Sequence, residues 1–184
     1  MPLQVAKRLR LTIDNRARCS LPMNASAPLL IVWHSRTGAS EAMAKAAARG
    51  GGEAARLMQA GEVQAGDLVA AAGYIFSCPE NLASMSGEMK EMFDRCYYDV
   101  LGRIEGRPYA TAIAAGSDGE GAQRQIDRIA TGWRLKRVAE PLIVNTRAQT
   151  PEEIMAAKTL DQSSLDSCMN LGQSMAIALE LGII

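Results

Sequence analysis

The stretch Leu29-Leu30-Ile31-Val32-Trp33-His34-Ser35-Arg36-Thr37-Gly38-Ala39-Ser40 decides the fold. Its first five residues form an unbroken apolar run. A strand with one wet face alternates apolar and polar residues, whereas a strand buried on both faces of a parallel sheet does not. A polar turn follows over residues 34–40. Residues 41–49 are then Ala-rich and strongly helix-forming, and Gly50-Gly51-Gly52 ends the helix.

The same alternation continues along the chain. A second strand is expected over residues 54–58, then a turn and short helix over 61–71. A third strand over 73–77 is expected to stop at Pro79. A long loop over 78–86 leads to a helix over 87–101 that puts Met89, Met92, Phe93 and Cys96 on one face. A fourth strand (109–115), a glycine-rich loop (116–121), a helix (122–131, with Ile126, Ile129 and Ala130 facing inward) and a fifth strand (141–145) follow. Thr150 as N-cap and Pro151 in the first turn open another helix, and a last helix covers 161–181. Five strands alternating with helices predict an α/β fold, a three-layer α/β/α sandwich. Right-handed crossovers gather the strand-to-helix loops at one sheet edge, where ligands of such sheets bind.

The chain has 184 residues, 48% of them hydrophobic, and twenty basic against twenty acidic side chains. That suits one domain, residues 28–184, behind a basic N-terminal arm, residues 1–27. Zero net charge gives no reason to expect nucleic acid as a partner. Two Phe, two Trp and four Tyr are too few for a base-stacking platform. No apolar run approaches the roughly 18 residues of a membrane span, so no membrane partner is expected. Cys19, Cys78, Cys96 and Cys168 form no C-x-x-C pair and His34 is the single histidine. No metal site is expected, and the cysteines read as reduced, buried thiols of a cytoplasmic protein.

The neutral charge is a sum of two unequal parts. Residues 1–22 hold Lys7, Arg8, Arg10, Arg16 and Arg18 against Asp14, which leaves fifteen basic and nineteen acidic residues in 23–184. The arm lacks the apolar core of a secretory signal. An unstructured arm or an overlong start before Met23 is expected ahead of a transit peptide. Leu9-Arg10-Leu11-Thr12-Ile13 alternates like a short edge strand.

Three loops at the binding edge are candidates for chemistry. In the first, Ser35, Thr37 and Ser40 supply hydroxyls, Gly38 permits a tight turn, Arg36 adds charge, and a helix N-terminus follows: the parts of a phosphate cradle. An ordinary N-capped turn uses the same residue types. There is neither a Walker A loop nor a G-x-G-x-x-G after this strand, so a terminal phosphomonoester suits it better than a pyrophosphate. The second loop, Ser77-Cys78-Pro79-Glu80-Asn81-Leu82-Ala83-Ser84-Met85-Ser86-Gly87, is long for a connector and suits the edge of a flat heterocycle, or a turn capped by Ser86. The third, Gly116-Ser117-Asp118-Gly119-Glu120-Gly121, lets backbone approach a ring closely or serves as a mobile connector.

Together these loops resemble those of flavodoxin-like flavoproteins, most of all the branch of NAD(P)H-dependent FMN reductases and quinone reductases. Residues 34–40 are similar to that family's S/T-x-T-G-x-T phosphate loop, with Ser40 in place of the final Thr. Ser77-Cys78-Pro79-Glu80-Asn81 with Gly87, Met89 and Lys90 resembles the reductases' G-x-P-E-Y-N segment and its helix, although no aromatic follows Glu80. The resemblance implies strand order 2-1-3-4-5 and an FMN across the carboxyl edge. Ser35, Arg36, Thr37, Gly38, Ala39 and Ser40 would then hold its phosphate. Pro79, Glu80, Asn81, Leu82 and Ala83 would line the isoalloxazine, with Ser117, Asp118 and Gly119 closing the other side. It further implies NADH or NADPH as transient electron donor, a quinone, nitro compound or flavin as small-molecule acceptor, and assembly as a homodimer or homotetramer. No catalytic side chain is named, because the flavin carries the chemistry. The alternative is a flavodoxin-type electron carrier. Such carriers are usually strongly acidic and sandwich the ring between aromatics, and the second and third loops contain none.

The remaining conspicuous residues take plainer readings. His34 is expected to shape the loop, Cys78 to pack, Trp33 to sit in or beside the sheet, and Trp133 to lie at the surface. Met85, Met89 and Met92 suit the core or a subunit contact. Arg134, Lys136 and Arg137 suit a solvated face, with an NADP phosphate as the sharper alternative.

Overall fold

A computed structural model describes residues 28–184. The arm, Cys19 and the strand expected at residues 9–13 lie outside the described residues. The sheet is built around β1 (Leu29–Trp33), which pairs in parallel with β2 (Ala55–Gln59) and β3 (Gly73–Asn81). A two-residue β4 (Ser84–Met85) folds back antiparallel on the end of β3. β5 (Pro108–Ala115) pairs with β3, and its outer edge is shared by β6 (Lys136–Arg137) at its start and β7 (Leu142–Asn145) at its end. The order β2-β1-β3-β5 followed by β6 and β7 is the expected 2-1-3-4-5 order. The sheet has seven strands, because the second loop contributes β4 and the outermost position is occupied by two short strands.

Both sheet faces are covered, as the apolar run of β1 requires. Leu29 and Ile31 face α1 (Ala39–Gly51) and α6 (Gln162–Glu180), with Met43, Ala44 and Ala47 from α1 and Cys168, Met175 and Ala176 from α6. Leu30 and Val32 face the opposite layer. There Leu68 of α2 (Ala65–Ala70), Met89, Met92, Phe93 and Cys96 of α3 (Gly87–Val100), and Ala122, Ile126 and Ala130 of α4 (Glu120–Gly132) pack on Tyr74, Phe76 and Ile113. A short α5 (Pro151–Met155) stands outside these layers. Thr150 and Glu153 cap it reciprocally, and Pro151 occupies its first turn, as expected.

Two expectations are corrected. Pro79 does not stop the third strand, which runs on to Asn81. The Ser77 carbonyl accepts the His34 N–H on the β1 side (3.0 Å), and Pro79, two residues later, points the same way past the end of β1. Its missing N–H therefore costs no ladder bond, while it stays in register with Ala114 on the other side. Trp133 is not at the surface. It is 3% exposed and meets the Phe93 ring edge-on at 5.0 Å, because the turn after α4 folds it under α3. Met85, Met89 and Met92 belong to the core of the chain itself.

The α1 and α6 backbones touch. A Cβ on Gly172 would stand 1.9 Å from the Ala47 carbonyl oxygen, and one on Gly50 would stand 1.9 Å from that of Met169. Gly172→Ala is expected to lower the stability by about 1–3 kcal/mol through overpacking. Gly66→Ala in α2, where nothing lies within 4 Å, should raise it by about 0.5–1 kcal/mol. Urea midpoints of the two variants check this, and shifts of the same sign would contradict the account.

Candidate functional site

The loop after β1 forms a turn whose amides face the sheet edge. Gly38 sits at φ +94°, a conformation natural to glycine, and is the N-cap of α1. Its N–H donates to Ser35 Oγ at 3.0 Å. The first helical bond runs from the Ala42 N–H to the Gly38 carbonyl at 2.9 Å, so the amides of Ala39, Ser40 and Glu41 precede it. Ser40 is fully buried, and its Oγ has no hydrogen-bond partner among the described residues. A buried hydroxyl without a partner costs roughly 1–3 kcal/mol, so it calls for an acceptor that the described residues do not supply. Arg36 is exposed and lies 3.6 Å from Glu88 Oε1, which also lies 3.4 Å from His34 Nε2. Burial lowers the His34 pKa, with Glu88 opposing and Arg36 assisting.

The second loop is a hairpin rather than an irregular connector. β3 and β4 are joined by Leu82 and Ala83, both at positive φ (52° and 57°), and Leu82 is fully exposed. Non-glycine residues hold this conformation at a cost of about 1–2 kcal/mol each. The tip is pinned from behind, since a Cβ on Gly121 would stand 2.2 Å from the Ala83 carbonyl oxygen. The Glu80 carboxylate does not reach into free space. It accepts the N–H of Gly119 (3.0 Å) and of Ala122 (2.9 Å), tying the hairpin to the start of α4. Negative charge at a helix N-terminus is favourable.

The third loop is tied to the segment after β7. Thr146 Oγ1 donates to the Ala115 carbonyl (3.0 Å), Gln149 Nε2 to that of Gly116 (3.0 Å), and the Asn145 amide to that of Ser117. The chain then passes through α5 and returns to the first loop, where the Lys158 N–H donates to the Thr37 carbonyl at 2.7 Å. The Lys158 ammonium binds the carbonyls of Glu153, Ile154 and Ala156 at the end of α5.

These segments enclose one cavity of about 730 Å³, within the usual range of small-molecule sites. Ser35, Arg36, Thr37, Ala39, Ser40, Pro79, Glu80, Asn81, Leu82, Ala83 and Ser117 line it together. Gly38 is the turn beneath them. Asp118 and Gly119 do not line it: Asp118 is exposed beside the α4 start, and Gly119 is buried as the α4 N-cap. Ala114, Ala115, Gly116, Thr146, Ala148, Gln149, Ile154 and Lys158 line it as well and were not singled out in the sequence. The segment 146–158 leaves the same sheet edge as the three glycine- and hydroxyl-rich loops, so strand order was the available signal. A phosphate at the α1 N-terminus would give Ser40 Oγ its acceptor, and an alanine floor beside the hairpin suits a flat ring. The residues present therefore fit FMN.

Other residues stand apart from this chemistry. Cys78 is buried, and burial pushes its thiol up to about 12, partly opposed by a backbone hydrogen bond from Ser86. It is a packed thiol at neutral pH. Arg134, Lys136 and Arg137 are exposed at the start of β5 and the end of α4, on the sheet edge opposite the cavity. Among the described residues no group of three His, Cys, Asp or Glu side chains is placed to hold a metal ion, and no helix is long and apolar enough to cross a membrane.

A family model described as NADPH-dependent FMN reductase matches residues 62–145. No curated protein matches the sequence significantly. Among solved structures, a flavodoxin from the domain Archaea is similar at a TM-score of 0.67 and 17% identity, with 83% of this chain and 99% of that one covered. A flavodoxin, WrbA-like protein from Agrobacterium tumefaciens gives 0.65 and 16%, covering 85% and 99%. The flavodiiron core of Flv1 from Synechocystis gives 0.68 and 16%, covering 89% of this chain and 38% of that one. The chain has the flavodoxin-like fold, and its residues 62–145 match the family model of the NADPH-dependent FMN reductases.

Proposed function

We propose that the protein is a reductase that binds FMN and uses it to pass electrons from NADH or NADPH to a quinone, nitro compound or free flavin. The observation that carries this reading is the single cavity in which the buried, unpartnered Ser40 hydroxyl, the α1 amides and the β3–β4 hairpin converge. Bound FMN supplies the hydride and electron chemistry. Residues 35–40 hold the phosphate through backbone amides, hydroxyls and the charge of Arg36. Pro79, Glu80, Asn81, Leu82 and Ala83 border the ring, Ala114 and Ala115 keep water from its floor, and Ser117 bounds the third side. No Phe, Tyr or Trp lines the cavity, which leaves a face open for a nicotinamide to stack.

The family match over residues 62–145 supports donor use. Free thiols at Cys78, Cys96 and Cys168, all buried, support a reducing compartment such as the cytoplasm. Exposed Leu181, Ile183 and Ile184 after α6 supply apolar surface for the homodimer or homotetramer that belongs to the proposal. The second reading, an electron carrier, is favoured by the acidic excess of residues 23–184 and by the fold likeness to flavodoxins.

The FMN-loaded protein is expected to be reduced by NADH or NADPH and to turn over aerobically with quinones or nitroaromatics. Reduction by neither donor, with electrons accepted from a flavodoxin reductase, would overturn the reductase reading in favour of the carrier. Ser40→Ala should weaken FMN binding about ten- to a hundredfold, the worth of one hydrogen bond to a charged acceptor. The same substitution removes an unpaired buried hydroxyl, so the thermal midpoint of the cofactor-free protein should stay level or rise. Fluorescence titration and thermal melts check the pair, and a loss of apo stability with unchanged FMN affinity would contradict it.

A further inference from the structure

A second cavity, of about 640 Å³, adjoins the first, and Ala83 at the hairpin tip lines both. Its walls are Ser84 of β4, Lys90 of α3, and Arg124, Gln125, Arg128 and Ile129 of α4, with no carboxylate among the lining residues. Arg124 and Arg128 are one helical turn apart, a spacing at which like charges repel. Their charge is poorly balanced locally. Arg124 reaches Glu120 only at 4.0 Å, and Arg128 makes no ion pair among the described residues. Lys90 is held by Asp94 at 2.6 Å. Gln125 is fixed in place, because its Oε1 accepts from Ser84 Oγ (2.6 Å) and the Met85 N–H (3.0 Å). Its Nε2 is left as a donor beside the cations. A domain with more acids than bases thus concentrates three cations and a fixed amide donor in one concave groove next to the ring-lining hairpin.

We propose that this groove binds the phosphate groups of the nicotinamide dinucleotide donor while its nicotinamide enters the neighbouring cavity. The proposal rests on the reductase reading and adds to it where the donor is held. Arginine forks and a lysine ammonium are the groups that recognise phosphate. The groove is small and concave, as a nucleotide site is, and it opens beside the hairpin that borders the flavin face. The other basic cluster, Arg134, Lys136 and Arg137, lies on the opposite sheet edge, and Arg137 is bound to Asp127 at 3.0 Å.

The test uses the FMN-loaded protein and its Arg124→Gln/Arg128→Gln double variant, with matching thermal melts to show that the variant is folded. Each is titrated with ADP-ribose and with its 2′-phosphorylated form, and KM is measured for NADH, NADPH and N-benzyl dihydronicotinamide, which carries no phosphate. The double substitution is expected to weaken nucleotide binding about tenfold or more and to raise the dinucleotide KM in step. Turnover of the phosphate-free donor should keep its rate. Tighter binding of the 2′-phosphorylated fragment would assign the groove to the ribose phosphate, and equal binding to the pyrophosphate. Equal affinity of wild type and variant for both fragments would overturn the proposal. So would no fragment binding by the wild type. If neither dinucleotide reduces the wild type, the reductase reading fails, and the fragment titrations still decide whether the groove binds phosphate.

Discussion

The Glu80 carboxylate, accepting one N–H from Gly119 and another from Ala122, holds the two sides of the candidate site together. Its backbone belongs to the hairpin that borders the cavity, and its side chain anchors the helix that follows the third loop. The Leu82–Ala83 turn is in an unfavourable backbone conformation and is exposed, so it persists only because its surroundings impose it. Gly121 supplies the close backbone approach behind the turn, and Gln125 accepts two hydrogen bonds from β4. Without these contacts from α4 the hairpin would have little to fix it. A single carboxylate thus links the shape of the cavity-lining hairpin to the position of α4, whose outer face carries Arg124 and Arg128.

Much of the fold is legible in the residues because local pattern and global packing agree. The unbroken apolar run of β1 requires cover on both faces, and α1 with α6 and α2 with α3 and α4 provide it. The phosphate-loop pattern places Ser40 at the first turn of α1, where its hydroxyl is buried. What was not legible depends on partners distant in sequence. Pro79 continues a strand because β1 has already ended beside it, a fact of register and not of proline. Trp133 is buried because Phe93, forty residues earlier, lies over it. Glu80 has the position of a ring neighbour, yet its carboxylate is engaged by amides some forty residues later. The segment 146–158 has no glycine-rich signature. It enters the site because β7 ends at the same sheet edge and Lys158 returns the chain to Thr37.

Charge has a similar lesson. The neutral total conceals a basic arm and a domain with nineteen acids against fifteen bases. Within that domain the distribution matters more than the sum. Arg134 and Arg137 cluster with Lys136 in sequence but pair with Glu105 and Asp127. Lys90 of α3 is distant in sequence from Arg124 and Arg128 of α4 and meets them at one groove. Only the fold shows which basic residues have an acidic partner and which share a groove.

On the proposed function, the α1 N-terminus holds the phosphate of FMN. Comparing the affinities of the cofactor-free protein for FMN and for riboflavin, which shares the ring and lacks the phosphate, tests it most directly. The account predicts that FMN binds at least about a hundredfold more tightly, since several charge-assisted hydrogen bonds are lost with the phosphate. Equal affinities would contradict it.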